Sequence, residues 1–275
     1  MADQPSSTIR LAALQMVSGP DVTANLREAD RLVASAADRG ASLAVLPENF
    51  ALMGMHQRDK LAVAEDDGAG PIQDALAAMA ERHRLWLVGG TIPIKGADDD
   101  HARAACIVFD DRGMRRARYD KIHLFDVSVS EGETYLESAT LEAGSTPVVV
   151  DTPFGRLGLA VCYDLRFPEL FRALSARGMD LCAVPSAFTA ATGEAHWRVL
   201  VQARAVENLC YVVAPNQGGR HPNGRETHGE SVVVGPWGEV LDSLARGPGV
   251  AVADYDPHRL RALRERFPVL AHRRL

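Results

Sequence analysis

The stretch Gly158-Leu159-Ala160-Val161-Cys162-Tyr163-Asp164-Leu165-Arg166-Phe167-Pro168-Glu169-Leu170 sets the architecture of this chain. Its first four residues make an apolar run suited to a buried strand, and the residues from Tyr163 onward open a helix. Cys162 therefore stands at a strand-to-helix turn, on a sharp bend that projects its side chain out of the sheet. Hydrolases of other folds place a serine nucleophile on the same kind of elbow. The positive end of the following helix favours a thiolate there.

The alternation extends in both directions from the elbow. Residues 8–14, 43–46 and 86–90 read as strands. Helical periodicity over Leu26, Ala29, Leu32, Val33, Ala36 and Ala37, and again over residues 72–84, separates them. Residues 104–109 and 115–119 form a hairpin about the turn Asp110-Asp111-Arg112-Gly113. Residues 147–151 and 156–161 flank the turn Pro153-Phe154-Gly155 before the elbow. After it come helices over about 167–177 and 194–208, and strands at 181–184, 211–214, 230–234, 239–242 and 249–255. Asp256-Pro257 caps a last short helix. No clean period holds from Asp126 to Ser145, which reads as a long, partly irregular loop of the kind that carries function. The pattern is that of one α/β domain with mixed sheet over residues 8–275, preceded by a disordered tail at 1–7. Both a face-to-face stack and one large layer are compatible with it.

With 275 residues and 47% hydrophobic content, the chain can bury a large core. A net charge of −6 argues against a nucleic-acid partner. No apolar run approaches the roughly 18 residues of a membrane span, and Met1–Ser7 lacks the basic-then-apolar layout of a signal peptide. The expected location is the cytoplasm. Of the four cysteines, Cys106, Cys182 and Cys210 lie in apolar strand-like runs and read as inert core thiols. No C-x-x-C pair is present, so neither a zinc nor a redox motif is indicated, and no metal or cofactor is expected.

Three segments carry reactive groups just past strand ends: Leu46-Pro47-Glu48-Asn49, Tyr119-Asp120-Lys121-Ile122-His123-Leu124, and the Cys162 elbow. Ligands gather at such ends in open α/β sheets, so the three can share a pocket. Singly they carry little. A strand-end carboxylate is commonly solvated, and most lysines are surface charges. His123 offers another reading, as a papain-like partner base for Cys162. His196 and Arg166 also suit a helix surface.

Taken in order, PENF (47–50), YDKIHLFD (119–126) and VCYDLRFPEL (161–170) resemble the nitrilase superfamily of carbon–nitrogen hydrolases. The likeness runs from about Thr8 to Phe267 and takes in PSAFTAATGEAHW (185–197), ARAVENLCYVVAPNQ (203–217) and PWGEV (236–240). It implies a four-layer α-β-β-α sandwich of two mixed β-sheets. It implies a Glu-Lys-Cys triad on Glu48, Lys121 and Cys162, with a thioester intermediate on the sulfur. A second glutamate follows the lysine in the family; Glu137 fits that place, with Glu131 and Glu133 as nearby alternatives. Lys121 and the backbone N–H of Tyr163 would face the oxyanion. Chains of the family pair through the helices here at about 167–177 and 194–208, implying a homodimer or higher homo-oligomer.

The segments PSAFT…TG and QGGRHPNGR (217–225) resemble the deaminated glutathione amidase branch, which releases 2-oxoglutarate and cysteinylglycine. The alternatives are an ω-amidase acting on 2-oxoglutaramate or 2-oxosuccinamate, and an N-carbamoyl amide hydrolase. The small anionic amide calls for a cation: Arg166 first, then Arg220 and Arg225. Ser186, Phe188, Thr189 and Thr192 are expected to line the pocket. Two departures stand out. Glu230 in Gly229-Glu230-Ser231 takes the place of a histidine common in the branch, and Gly235 in Gly235-Pro236-Trp237-Gly238 that of an aspartate. If residue 230 touched the substrate, Glu230 would repel its carboxylate.

Overall fold

The computed structural model describes residues 9–130 and 133–274. The tail expected at 1–7 lies outside the described residues. The chain begins with β1 (Ile9–Gln15), α1 (Val22–Asp38), β2 (Leu43–Val45), the single turn α2 (Asp59–Ala62), α3 (Pro71–His83) and β3 (Trp86–Val88). Then come β4 (Ile92–Lys95), β5 (Ala102–Phe109), β6 (Arg115–Asp120), β7 (Asp126–Ser130) and β8 (Glu133–Leu136). The second half holds β9 (Val148–Thr152), β10 (Gly155–Leu159), α4 (Pro168–Ala176), β11 (Leu181–Ala183), α5 (Ala190–Asn208) and β12 (Tyr211–Ala214). It closes with β13 (Val232–Val234), β14 (Val240–Ser243), β15 (Gly249–Tyr255) and α6 (Pro257–Arg266).

Two mixed sheets result. The first has the order β15-β1-β2-β3-β5-β4, with β6 also on β5; the second runs β14-β13-β12-β11-β10-β9. The pairs β1–β2, β2–β3, β10–β11 and β11–β12 are parallel, and antiparallel strands flank them. Alternation along each strand explains the stacking. Leu11, Ala13, Leu43 and Val45 join one core with Leu157, Leu159, Leu181 and Val212 of the second sheet. The intervening Ala12, Leu14, Ala44 and Leu87 join Leu32, Val33, Leu76 and Met79 of α1 and α3. Strands apolar on both faces must be covered on both faces, which makes the four layers. On the far side, α4 and α5 sit against the second sheet through Leu170, Phe171, Leu174, Trp197 and Val201. Each such side chain, fully buried, contributes about 1.5–3 kcal/mol.

Three departures from expectation have a clear local reason. The stretch 126–145 is not one irregular loop: it holds the β7–β8 hairpin and a 3-10 turn at Glu137–Ala139. The strands are short and rich in polar residues, so no period emerges. Strand β4 has too weak a sequence signal to be expected, being four residues long and containing Pro93; it is held by pairing along β5 with Ile92 and Ile94 buried. Helix α5 starts at Ala190 rather than 194, with the Thr189 side chain accepting from Thr192 N–H as its cap. Gly193 in its first turn masks the helical signal. A Cβ there would come within 2.2 Å of His228, so close packing requires the glycine.

Candidate active site

The elbow begins with the parallel pairing of β10 and β11, which continues past both strands. Ala160 N–H donates to Ala183 O at 3.1 Å, and Cys162 N–H to Pro185 O at 2.9 Å. The chain then reverses with Cys162 at φ +46°. A non-glycine residue there costs about 1–2 kcal/mol. The compensating group is Asp164, fully buried beneath the bend. Its carboxylate accepts from Val161 N–H (2.8 Å), Tyr119 Oη–H (2.6 Å), His123 N–H (3.1 Å) and His123 Nδ1 (2.6 Å). One side chain thus ties the elbow to the segment after β6 that carries Lys121.

Lys121 is 1% exposed and Glu48 3%. The ammonium donates to Glu48 Oε1 at 2.7 Å and to Glu137 Oε2 at 2.8 Å. Glu137 also accepts from Phe125 N–H at 2.9 Å. Glu48 is held from its backbone side, where Gln217 Nε2 donates to Glu48 O at 3.1 Å and to Ser18 Oγ at 2.8 Å. Glu48, Lys121, Glu137 and Cys162 line one cleft with Tyr163, Arg166, Phe188, Thr189 and Arg225. Three sequence-distant strand ends and the β7–β8 hairpin therefore converge.

Burial alone would lower the Lys121 pKa, but the Glu137 and Glu48 carboxylates outweigh it and hold the group well above the ordinary lysine value. Burial would raise Glu137; the adjacent Lys121 ammonium overcomes it and keeps the carboxyl below its usual range. Cys162 behaves differently from the thiolate expected of a helix N-terminus. Burial first, then the Glu48 carboxylate, push its thiol well above the ordinary value, while Lys121 and the Ala187 N–H pull weakly the other way. The element after the cysteine is a 3-10 turn, Cys162–Arg166, and α4 starts only at Pro168, too far on to supply a strong dipole. Burial and the Glu48 carboxylate thus both favour the protonated form of this sulfur.

The remaining thiols behave as core groups. Cys106, Cys182 and Cys210 are fully buried and unpaired, and burial raises each of them, Cys210 to about 12. A raised folded value means that the native state holds the proton more tightly. Its stabilising effect is complete below the ordinary value of 9.0 and is lost as the pH climbs toward the folded value. The melting temperature should accordingly fall between pH 9 and 12, and fall less steeply in Cys210→Ala. Equal slopes in a pH-resolved thermal scan would show that this thiol does not contribute.

Other expected site residues separate into two groups. Phe188, Thr189, Thr192 and Tyr163 line the cleft, as does Arg166, whose guanidinium lies 5.4 Å from the Phe188 ring centroid and 5.9 Å from that of Tyr163. Arg225 lines it too. Ser186 does not: it is fully buried, and its hydroxyl donates to Val184 O at 3.0 Å, because the chain at 186 still runs alongside Asn216. Arg220 is exposed and lines no part of the cleft. His123 is stacked on Phe167 with ring centroids 3.7 Å apart and bonded to Asp164, which removes it as a partner base for Cys162. His196 is exposed, with Nδ1 3.3 Å from Arg166 Nη1. Glu230 is ion-paired with Arg198 of α5 and lies 3.2 Å from His228 Nε2, away from the cleft, so it does not face a substrate. Glu131 and the side chain of Glu133 lie outside the described residues.

Sequence reasoning missed Asp164, Tyr119 and Gln217. A carboxylate two residues after the elbow cysteine was the available signal for Asp164. Nothing local marks Gln217, whose partners are 169 and 199 residues away.

The description "Carbon-nitrogen hydrolase" belongs to a family model that matches residues 10–265. A deaminated glutathione amidase of Synechocystis sp. is 46% identical over 265 residues, covering 95% of this chain and 97% of that protein. The crystal structure of the Caenorhabditis elegans NitFhit protein superposes with a TM-score of 0.89 at 36% identity over 98% of this chain, which spans 66% of that longer protein. Saccharomyces cerevisiae Nit3, described as a member of branch 10 of the nitrilase superfamily, gives 0.87 at 30% identity with 98% of each chain covered. Match length, fold and the order of the three motifs agree: the chain belongs to the carbon–nitrogen hydrolase family, within the nitrilase superfamily.

Proposed function

We propose that the chain hydrolyses deaminated glutathione to 2-oxoglutarate and cysteinylglycine through a thioester on Cys162. The observation that carries this reading is Arg166. It lines the cleft beside Cys162, and among the described residues it has no carboxylate partner. A cation left open next to a nucleophile suits the carboxylate of a 2-oxo acid acyl group.

The chemistry follows from the residues. Cys162 Sγ attacks the amide carbonyl carbon as its proton passes to Glu48. The carbonyl oxygen takes up the negative charge, facing the Lys121 ammonium and the Tyr163 N–H. Glu48 returns the proton to the nitrogen, the C–N bond breaks, and the amine leaves. Glu48 then takes a proton from a water that attacks the thioester; the C–S bond breaks, the acid departs and the sulfur regains its proton. Glu137 fixes Lys121 and does not exchange protons with substrate. The exposed Val199 and Val206 of α5 support pairing of two chains. Four unpaired thiols suit a reducing cytoplasm. Among the described residues no helix is long and apolar enough to cross a membrane.

The test is a panel of deaminated glutathione, 2-oxoglutaramate and an N-carbamoyl amide, with cysteinylglycine and ammonia as readouts. Deaminated glutathione should show the highest kcat/KM. Faster turnover of 2-oxoglutaramate would make the chain an ω-amidase, and turnover of none would remove the hydrolytic reading.

A further inference from the structure

The cleft does not end at the cysteine. Phe125, Glu137 and Arg225 are shared with an outer cavity of about 250 Å³ that runs toward α2 and the 217–226 loop. The inner cleft is the narrower of the two, about 10 Å³ by the same measure. The outer volume approaches the lower end of small-ligand pockets, about 300 Å³. An amide held at Cys162 with its acyl group toward Arg166 has this cavity as the space for its amine portion.

Lys60 lines that cavity from α2. It is half-buried, and among the described residues its ammonium has no hydrogen bond or ion pair. The surrounding cations differ. Lys121 is held by two carboxylates, Arg58 pairs with Asp100 at 2.6 Å, and Arg103 with Glu142 at 2.7 Å. Arg225 is the other exception. Its Nη2 donates to Ala187 O at 2.6 Å and its guanidinium lies 5.1 Å from the Tyr135 ring centroid, yet its buried Nε has no hydrogen-bond partner among the described residues. Two cationic side chains at one cavity thus have donor capacity unused by the protein. An unpaired, partly desolvated ammonium is costly, and an arriving anion would relieve the cost.

We infer that Lys60, with Arg225 beside it, recognises the carboxylate of the departing amine portion, so that the enzyme selects amides whose amine ends in a carboxylate, such as a dipeptide acid. This deepens the proposed function and rests on it for the position of the amide. It separates the two cations by role: Arg166 holds the acyl end, common to long and short substrates, and Lys60 the leaving end, present only in long ones. Burial and the neighbouring Lys121 and Arg225 lower the Lys60 pKa while Glu137 and Glu48 raise it, with burial dominant, so a bound carboxylate would return the ammonium toward its ordinary value.

Two measurements test the assignment separately from the reaction. In the first, kcat/KM is determined for deaminated glutathione and for 2-oxoglutaramate with the native protein, Lys60→Met and Lys60→Arg. The ratio of the two values should fall about 10- to 100-fold in Lys60→Met, through KM, as expected for a lost charged hydrogen bond. Lys60→Arg should restore most of it. An unchanged ratio, including equal losses on both substrates, overturns the inference, since equal losses mean that Lys60 only balances charge around Glu48 and Glu137. In the second, calorimetry on Cys162→Ala compares N-acetylcysteinylglycine with its C-terminal carboxamide. The acid should bind about 10-fold more tightly, and Lys60→Met should abolish the preference; a preference that survives Lys60→Met, or is absent with Lys60 present, overturns the inference. If the native protein turns over neither substrate but the Lys60-dependent preference is found, the proposed reaction fails and the carboxylate site stands.

Discussion

Cys162→Ala should lower amide hydrolysis by about 10⁴-fold or more, the usual consequence of removing a nucleophile that acts as a unit with its base. Stability should change little. The side chain is 8% exposed at a position that keeps its left-handed backbone with alanine, and Glu48 retains Lys121 as a partner. Steady-state kinetics with thermal denaturation on the same preparation checks both halves. The control is Cys182→Ala, which removes a fully buried β11 thiol remote from the cleft lining and should keep most activity. Retained hydrolysis in Cys162→Ala, or its loss in the control with the fold intact, would mean that the wrong sulfur has been assigned.

Lys121→Ala should damage both activity and fold. Loss of an oxyanion donor costs about 10²–10³ in rate. On sequence grounds this variant would keep its structure, since most lysines are exposed. The structure places the ammonium between two carboxylates at 1% exposure, where its removal leaves a buried Glu48 and a half-buried Glu137 repelling each other. Breaking a buried charge set costs about 3–5 kcal/mol. Urea denaturation at neutral pH should therefore show a large loss. The loss should shrink as the pH falls, because Glu137, no longer held down by Lys121, protonates more readily than in the native protein. Lys121→Met combined with Glu137→Gln should recover part of the stability but not the activity. A Lys121→Ala protein as stable as the native one would refute the electrostatic account of the cluster.

Much of the core framework was legible because strand and helix periods are written locally. Strands β12 and β15 match their expected limits residue for residue, and α3 lies within one. Legibility failed where elements depend on distant partners. The hairpin β7–β8 carries too few apolar residues to announce itself, yet it delivers Glu137 to Lys121. No period in the sequence distinguishes Glu137 from Glu131 and Glu133; only resemblance to a family does. Ser186 looked like a cleft residue because it adjoins Phe188 and Thr189, but a neighbour in sequence points elsewhere when the backbone is still extended.

By itself the amino-acid order determined the strand-and-helix alternation and the bend at residue 162, since these are local properties, whereas Glu48, Lys121 and Cys162 stood out as a set only through resemblance to a family. The protonation states were decided only in three dimensions. A thiol raised by burial and Glu48, and a lysine kept charged by two glutamates, arise from desolvation and Coulomb forces among groups up to 114 residues apart in the chain, 162 less 48. Lys60 belongs to the same class: only the fold decides that its half-buried ammonium stands at a cavity with no hydrogen bond or ion pair among the described residues.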